Sequence, residues 1–305
     1  RDLHLSIRRQ RQMCIRDSNR PDVLQRKGLY APPKGASKIL GLEVSGKIKK
    51  IGKKVKNLKI NQKVCALVHG GGYAEYCKVF YKHVLPIPKG MNFIEAAAIP
   101  ENFFTVWYNL FERGQIKKSN TILIHGGSSG IGTAAIQLCK VHGCKVITTV
   151  GNKKKQLYCK KLGADLAINY NKSNFFEVIT KYTKSEGVDV ILDMVGQKYF
   201  EKNILLLKDK GKLIMIAFLS GSITKADFTT IMTKRLILTG STLRPRTDQE
   251  KAKIAKNLHK SYWTAFTKKT IKPNIYKIFN LKDAFKAHKL MESSKHLGKI
   301  VLKTK

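Results

Sequence analysis

The chain has 305 residues, with 59 Lys and Arg against 20 Asp and Glu, a net charge of +39 and 43% hydrophobic residues. That length and apolar content call for a globular protein with room for two modest domains. The charge invites a nucleic-acid reading, but only 11 of the 59 basic residues are Arg, the lysines are scattered, and no aromatic platform is interleaved with them. Specific nucleic-acid binding is therefore not expected.

The six cysteines (Cys14, Cys65, Cys77, Cys139, Cys144, Cys159) form no C-x-x-C pair and no His/Cys cluster at metal spacing. They read as reduced thiols of a cytoplasmic protein. Lys208, Asp209, Lys210 and Lys212 interrupt the longest apolar run, Ile204 to Ser220, so no membrane span is expected. Arg1 to Asp17 is basic but lacks the apolar stretch of a signal peptide.

Along the chain, residues 38–88 hold short β runs at Leu40–Ile48, Lys63–Leu67 and Tyr76–Val79, punctuated by glycines, Pro86 and Pro88. They predict a β-rich unit. The run TILIHGGSSGIGTAAIQLCK follows, from Thr121 to Lys140. A strand ends at Gly126 and Gly127, where the missing side chain permits a tight turn and close approach of a ligand. Gly130, Ile131 and Gly132 then open a helix whose unpaired N–H groups favour an anion. Ser128 and Ser129 can cap that helix or donate to phosphate. The pattern predicts a dinucleotide diphosphate site.

Strand-like and helix-like segments then alternate: Lys145–Val150, Lys153–Leu162, Asp165–Asn169, Asn174–Lys184, Val188–Met194, Gln197–Leu207, Gly211–Phe218 and Leu236–Ser241. This predicts an α/β fold with a doubly wound parallel sheet over residues 98–262. KIAKNLHKSYWTAF and LKDAFKAHKLMES read as helices, IYKIFNL and GKIVLK as strands. The last pieces are expected to return to the β-rich unit, making it discontinuous, with the cofactor cleft between the lobes.

An NAD site usually has an acid at the end of its second strand. Here Thr149, Val150, Gly151 and Asn152 are followed by Lys153, Lys154 and Lys155, which suits the 2′-phosphate of NADPH. The glycine string also fits the short-chain dehydrogenases, but no tyrosine after the loop has a lysine four residues on, and the loop lies in mid-chain.

A glycine loop behind a β-rich lobe resembles the medium-chain dehydrogenase/reductase superfamily. NRPDVLQRKGLY (19–30), ILGLEVSGKI (39–48), GGYAEY (71–76), AAAIPENFFTVW (96–107), STLRPR (241–246) and HLGKIVL (296–302) sharpen the likeness. They resemble its zinc-independent quinone oxidoreductase branch, related to zeta-crystallin, and within it the tumour-suppressor-inducible subgroup. The resemblance implies a Rossmann-type cofactor domain (98–262) and a discontinuous GroES-like catalytic domain (18–97 and 263–305). At the superfamily's zinc-ligand positions stand Asn19 and Leu42, and an isobutyl group cannot bind zinc, so no metal is expected.

It implies further that Asn19, Tyr30 and Arg244 line the catalytic cleft, with Tyr30 or equally solvent as the proton donor, and that Thr105 lies by the nicotinamide. Gly126 to Gly132 would hold the diphosphate, while Asn152, Lys155 and Tyr170 meet the 2′-phosphate. Val195, Phe218, Leu219 and Ser220 would flank the nicotinamide ribose. The expected activity is zinc-independent hydride transfer from NADPH to a quinone. The alternatives are enoyl or enone reduction and, from another class, a nucleic-acid-binding or structural role of the zeta-crystallin type. A homodimer is expected through the edge strand Leu236–Ser241. Residues 1–17 match nothing in that pattern and read as a foreign tract capping a shortened catalytic lobe. An exposed sheet edge, poor expression and lost reductase activity are the expected results.

Overall fold

The fold is that of a computed structural model, which describes residues 4–8 and 15–304. In chain order its strands are β1 (His4–Arg8), β2 (Ile15–Ser18), β3 (Glu43–Ile51), β4 (Lys63–Leu67), β5 (Cys77–Phe80) and β6 (Val84–Pro86). Next come β7 (Thr121–His125), β8 (Lys145–Val150), β9 (Leu166–Asn169), β10 (Val188–Asp193), β11 (Leu207–Met215) and β12 (Ile237–Gly240). β13 (Ile275–Asn280) and β14 (Lys299–Lys303) close the series.

The chain divides into two compact units, one formed up to Phe104 and again from Leu243 onward, the other from Thr105 to Thr242. The first holds an eight-stranded sheet with a main path β13-β14-β2-β3-β1-β5, from which β4 branches off β3 and carries β6. Val44, Ile48, Val64, Ala66 and Val79 meet in one of its apolar clusters. Valine and isoleucine suit such a pleated, half-buried surface.

Two strands of this sheet come from the tract read as foreign. β1 lies between β3 and β5, and β2 pairs antiparallel with β14 and β3, Ile15 facing Ser45. The edge that the sequence reading left open is thus covered by paired backbone, which satisfies N–H and C=O groups otherwise left to solvent. Residues 1–3 and 9–14, and with them the Cys14 assignment, lie outside the described residues.

The second unit holds a six-stranded parallel sheet in the order β12-β11-β10-β7-β8-β9. All five residues of β7 are buried, as a central strand covered on both faces requires. β12 is an edge strand, as read from the sequence. The second unit ends at Thr242 and not at 262, because the helix Asp248–Thr267 belongs to the first unit: its Phe266 ring meets Phe103 edge-on at 4.8 Å and its Lys251 reaches His69. Among the described residues no helix is long and apolar enough to cross a membrane, and all five described cysteines are buried thiols.

Candidate functional site

In the second unit the glycine turn is built as its composition requires. Gly126 has φ +71, a left-handed conformation that glycine adopts without strain. A Cβ on Gly127 would meet Thr148 Oγ1, and one on Gly132 would come within 2.4 Å of the Gly126 carbonyl oxygen. The backbone is therefore packed on itself where the strand turns into the helix Gly130–His142.

Of the two serines, Ser129 is the cap, accepting from Gly132 N–H at 3.0 Å. Because a helix's first N–H groups have no intrahelical partner, the amides of Gly130 and Ile131 remain to face an anion. Ser128 is buried beside them in the chain.

The ends of the neighbouring strands converge on this turn. Met194, just past β10, sits where a Gly126 Cβ would be, and Ser129 Oγ lies 3.9 Å from its sulfur. Ser220 Oγ donates to the Val195 carbonyl at 2.8 Å, and Leu219 N–H donates to the Met194 carbonyl at 3.1 Å. Val195, Phe218, Leu219 and Ser220 are thus gathered, with Phe218 and Leu219 about half exposed. Nothing in the sequence marks Met194, since its neighbour across the sheet is visible only in three dimensions.

Asn152 and Lys155 meet at a helix start, and Tyr170 lies against the adjoining Gly151. Asn152 caps the helix Lys153–Lys161 by accepting from Lys155 N–H at 2.9 Å. Val150 and Asn169 face each other at the ends of β8 and β9, and the Tyr170 hydroxyl lies against Gly151. Burial lowers the Lys155 pKa, yet Lys153, Lys154 and Lys155 still crowd a helix start with no acid at the end of β8. Thr105 is the first residue of this unit, and its carbonyl accepts from Asn109 Nδ2 at 2.8 Å.

In the first unit Arg244 meets Tyr30, and Asn19 belongs to a buried cluster with Glu43 and Lys299. Asn19 precedes the helix Arg20–Arg26, and its side chain is held in a buried cluster. Its Nδ2 donates to Glu43 Oε1 at 2.8 Å, while Lys299 Nζ donates to Asn19 Oδ1 at 2.8 Å and to Glu43 Oε1 at 2.7 Å. Burial pushes the Glu43 carboxyl up and the Lys299 ammonium down. Leu42 is buried beside Glu43 as an ordinary core residue.

The Arg244 guanidinium lies 5.6 Å from the centre of the Tyr30 ring, and its Nε and Nη2 both donate to the His69 carbonyl at 3.0 Å. Its Nη1 is buried with no hydrogen-bond partner among the described residues. A buried unpaired donor costs about 1–3 kcal/mol and calls for an explanation. Tyr30 holds its proton more tightly than usual, through burial first and the Glu101 charge second, against the pull of Arg244.

Reading the sequence missed Glu43, Lys299, Asp22 and Glu101. Glu43 alone left a signal, as an acid inside the apolar run LGLEVSG. Burial raises Asp22 to about 6, although Asn19 and Gly41 N–H groups donate to it, and raises Glu101 to about 7, helped by the Asp22 charge. The sign is opposite to that of a salt-bridged acid. With its folded pKa above the ordinary 4.5, Glu101 makes the folded protein hold a proton that the unfolded chain releases, so stability falls as pH rises between those values. Glu101→Gln is expected to raise the melting temperature at about pH 8 and leave it little changed at about pH 5. Equal shifts at both pH values would contradict this.

A parallel-sheet unit with a tight glycine turn and a β-rich unit carrying a buried polar cluster define a two-domain oxidoreductase. Residues 15–89 match the family described as Alcohol dehydrogenase GroES-like domain, and residues 130–259 match Zinc-binding dehydrogenase. The chain belongs to the medium-chain dehydrogenase/reductase superfamily.

It is 29% identical to a quinone oxidoreductase of Rattus norvegicus over 91% of this chain and 83% of that protein. A crystal structure of Escherichia coli quinone oxidoreductase complexed with NADPH superposes with a TM-score of 0.85 at 27% identity, covering 99% of this chain and 91% of that one. The CurK enoyl reductase superposes equally well, at 0.85 and 25% identity over 99% and 91% of the two chains.

Proposed function

We propose that the chain is an NADPH-dependent quinone oxidoreductase that works without the superfamily's catalytic zinc. The observation that carries the reading is the unpartnered, buried Nη1 of Arg244 beside Tyr30. A donor left unpaired in a low-dielectric pocket is suited to the oxyanion that develops when a carbonyl accepts hydride.

Zinc would otherwise polarise the carbonyl, but Leu42 offers no ligand atom and the Asn19 amide is engaged by Glu43 and Lys299. With its pKa raised, Tyr30 is better suited to donate a hydrogen bond than to surrender its proton, which leaves solvent as the proton source. NADPH, when bound, supplies the hydride. Its fit rests on the glycine turn, which any Cβ at Gly132 would fill, and on the lysine-rich start at Lys153–Lys155. Asn152, Lys155 and Tyr170 would hold the 2′-phosphate, Gly126 to Gly132 the diphosphate, and Thr105, Val195, Phe218, Leu219 and Ser220 the nicotinamide end.

Steady-state NADPH oxidation with 1,2- and 1,4-quinones tests the activity. Turnover confined to enoyl thioesters would instead establish the second reading, enoyl reduction, which the similarity to the CurK enoyl reductase favours. Absence of turnover with either class would sink both. For the cofactor, Lys155→Ala is expected to raise KM for NADPH about 10- to 100-fold, the worth of one charged hydrogen bond, and to leave KM for NADH nearly unchanged.

The reading extends to a cytoplasmic homodimer assembled through β12. Ile223, Phe228, Met232 and Ile237 are exposed on or just before this edge strand, an apolar surface of the kind that partners cover. Leu238→Lys should then sediment as a monomer, and an unchanged dimer would exclude that interface.

A further inference from the structure

We propose that His69, His83 and Asp248, in the first unit, form a binding site for a zinc-class divalent cation, separate from the superfamily positions held by Asn19 and Leu42. His69 follows β4, His83 ends the turn Tyr81–His83 before β6, and Asp248 is the first residue of the helix Asp248–Thr267. The fold gathers residues that are far apart in the chain, which is why their spacing gave no metal signal.

His69 Nε2 lies 2.9 Å from Asp248 Oδ1 and His83 Nε2 lies 3.6 Å from it. One ligand atom from each of the three residues can be taken so that all lie within 4.8 Å of one another. Tetrahedral zinc with bonds of about 2.0–2.1 Å needs ligand atoms about 3.3 Å apart, so the triangle closes on a cation with small side-chain shifts. Two imidazoles and one carboxylate suit zinc rather than magnesium or calcium, which take all-oxygen shells.

The surroundings favour an accessible site. The three residues line a cavity of about 720 Å³, which gives room for water or another small ligand at a fourth position. The His69 and Asp248 side chains are about one-third exposed, while His83 is buried, and its Nε2, 3.0 Å from the Asp248 backbone carbonyl, gives up that hydrogen bond and its proton when it takes the cation. The opposing charge is Lys251, whose amine lies 3.0 Å from His69 Nδ1, on the ring nitrogen turned away from Asp248. It is anchored there by the Arg244 carbonyl at 2.6 Å.

The test uses the tag-free full chain, titrated calorimetrically with zinc and, in parallel, with cobalt(II) for its visible spectrum. One equivalent of zinc should bind, and the cobalt form should show tetrahedral bands without thiolate charge transfer, since Cys65 and Cys77 take no part. His69→Ala and Asp248→Asn should each weaken binding by more than about 100-fold, beyond the effect of losing an outer-shell partner. Lys251→Met, which removes the opposing charge, should tighten it. Asp248→Asn keeps both the helix start and the backbone carbonyl beside His83, so it reads the site even if His69→Ala unfolds. No stoichiometric binding by the unaltered chain, a thiolate band, or affinity unchanged in Asp248→Asn would each overturn the proposal.

Discussion

Gly132→Ala is expected to destabilise the second unit by about 3 kcal/mol and to weaken NADPH binding by about 100-fold. The added Cβ would lie 2.4 Å from the Gly126 carbonyl oxygen and 2.6 Å from Gly127 Cα, so it meets backbone on backbone. No rotamer change relieves that contact, and overpacking without an escape lies at the upper end of the usual 1–3 kcal/mol range. The turn must open instead, which moves the Gly130 and Ile131 amides from the diphosphate, and a shift near 1 Å costs about 100-fold.

Gly127→Ala is an internal control. Its Cβ would strike the Thr148 side chain, so adding Thr148→Ala should recover part of the loss, whereas no side-chain change should rescue Gly132→Ala. Urea melts and a fluorescence titration with NADPH measure both effects. Wild-type affinity in Gly132→Ala would disconnect the turn from the cofactor.

The second large effect belongs to the buried cluster of Asn19, Glu43 and Lys299. Lys299→Met should destabilise the first unit by about 3–5 kcal/mol, because it leaves the Glu43 carboxylate buried and uncompensated. Glu43 is fully buried and Lys299 is 3% exposed, so water cannot take over the lost contact. The double variant Lys299→Met/Glu43→Gln should lose less than Lys299→Met alone, since no net charge remains inside and Gln can still accept from Asn19 Nδ2.

Chemical denaturation of these two variants and of Glu43→Gln alone gives the cycle, and simple additivity would show that the ion pair does not stabilise the site. Because Lys299 also holds Asn19 Oδ1, Lys299→Met should further lower kcat if Asn19 shapes the catalytic pocket.

Local features were legible in the sequence. The strand β8 and the helix start at Lys153 fall where periodicity and composition put them, since alternation and glycine placement are properties of neighbouring residues. The glycine turn declares itself within the seven residues from Gly126 to Gly132. β12 was recognised as an edge because it is the last strand of its series.

Contacts between distant segments were not legible. Lys299 lies 256 residues from Glu43, and nothing in GKIVLK marks its lysine as buried in a chain where lysine is the commonest solvated residue. The expected boundary at residue 262 cuts through the helix Asp248–Thr267, while Phe103 and His69 tie that helix to the first unit. His69 stands four residues from Cys65 in sequence, whereas its partners are Asp248, Lys251 and the ring of His83.

By itself, then, the sequence determined the two kinds of unit and the choice of NADPH, and it set the expectation of a diphosphate turn and of no catalytic zinc. These depend on residue type and short-range order. Only the tertiary structure decided that Arg244 keeps one buried donor unpaired beside Tyr30, that Asn19 is held by Glu43 and Lys299, and that two histidines meet Asp248. Burial and long-range pairing set those charges and hydrogen bonds, and chain closure across hundreds of residues is not written in any local pattern.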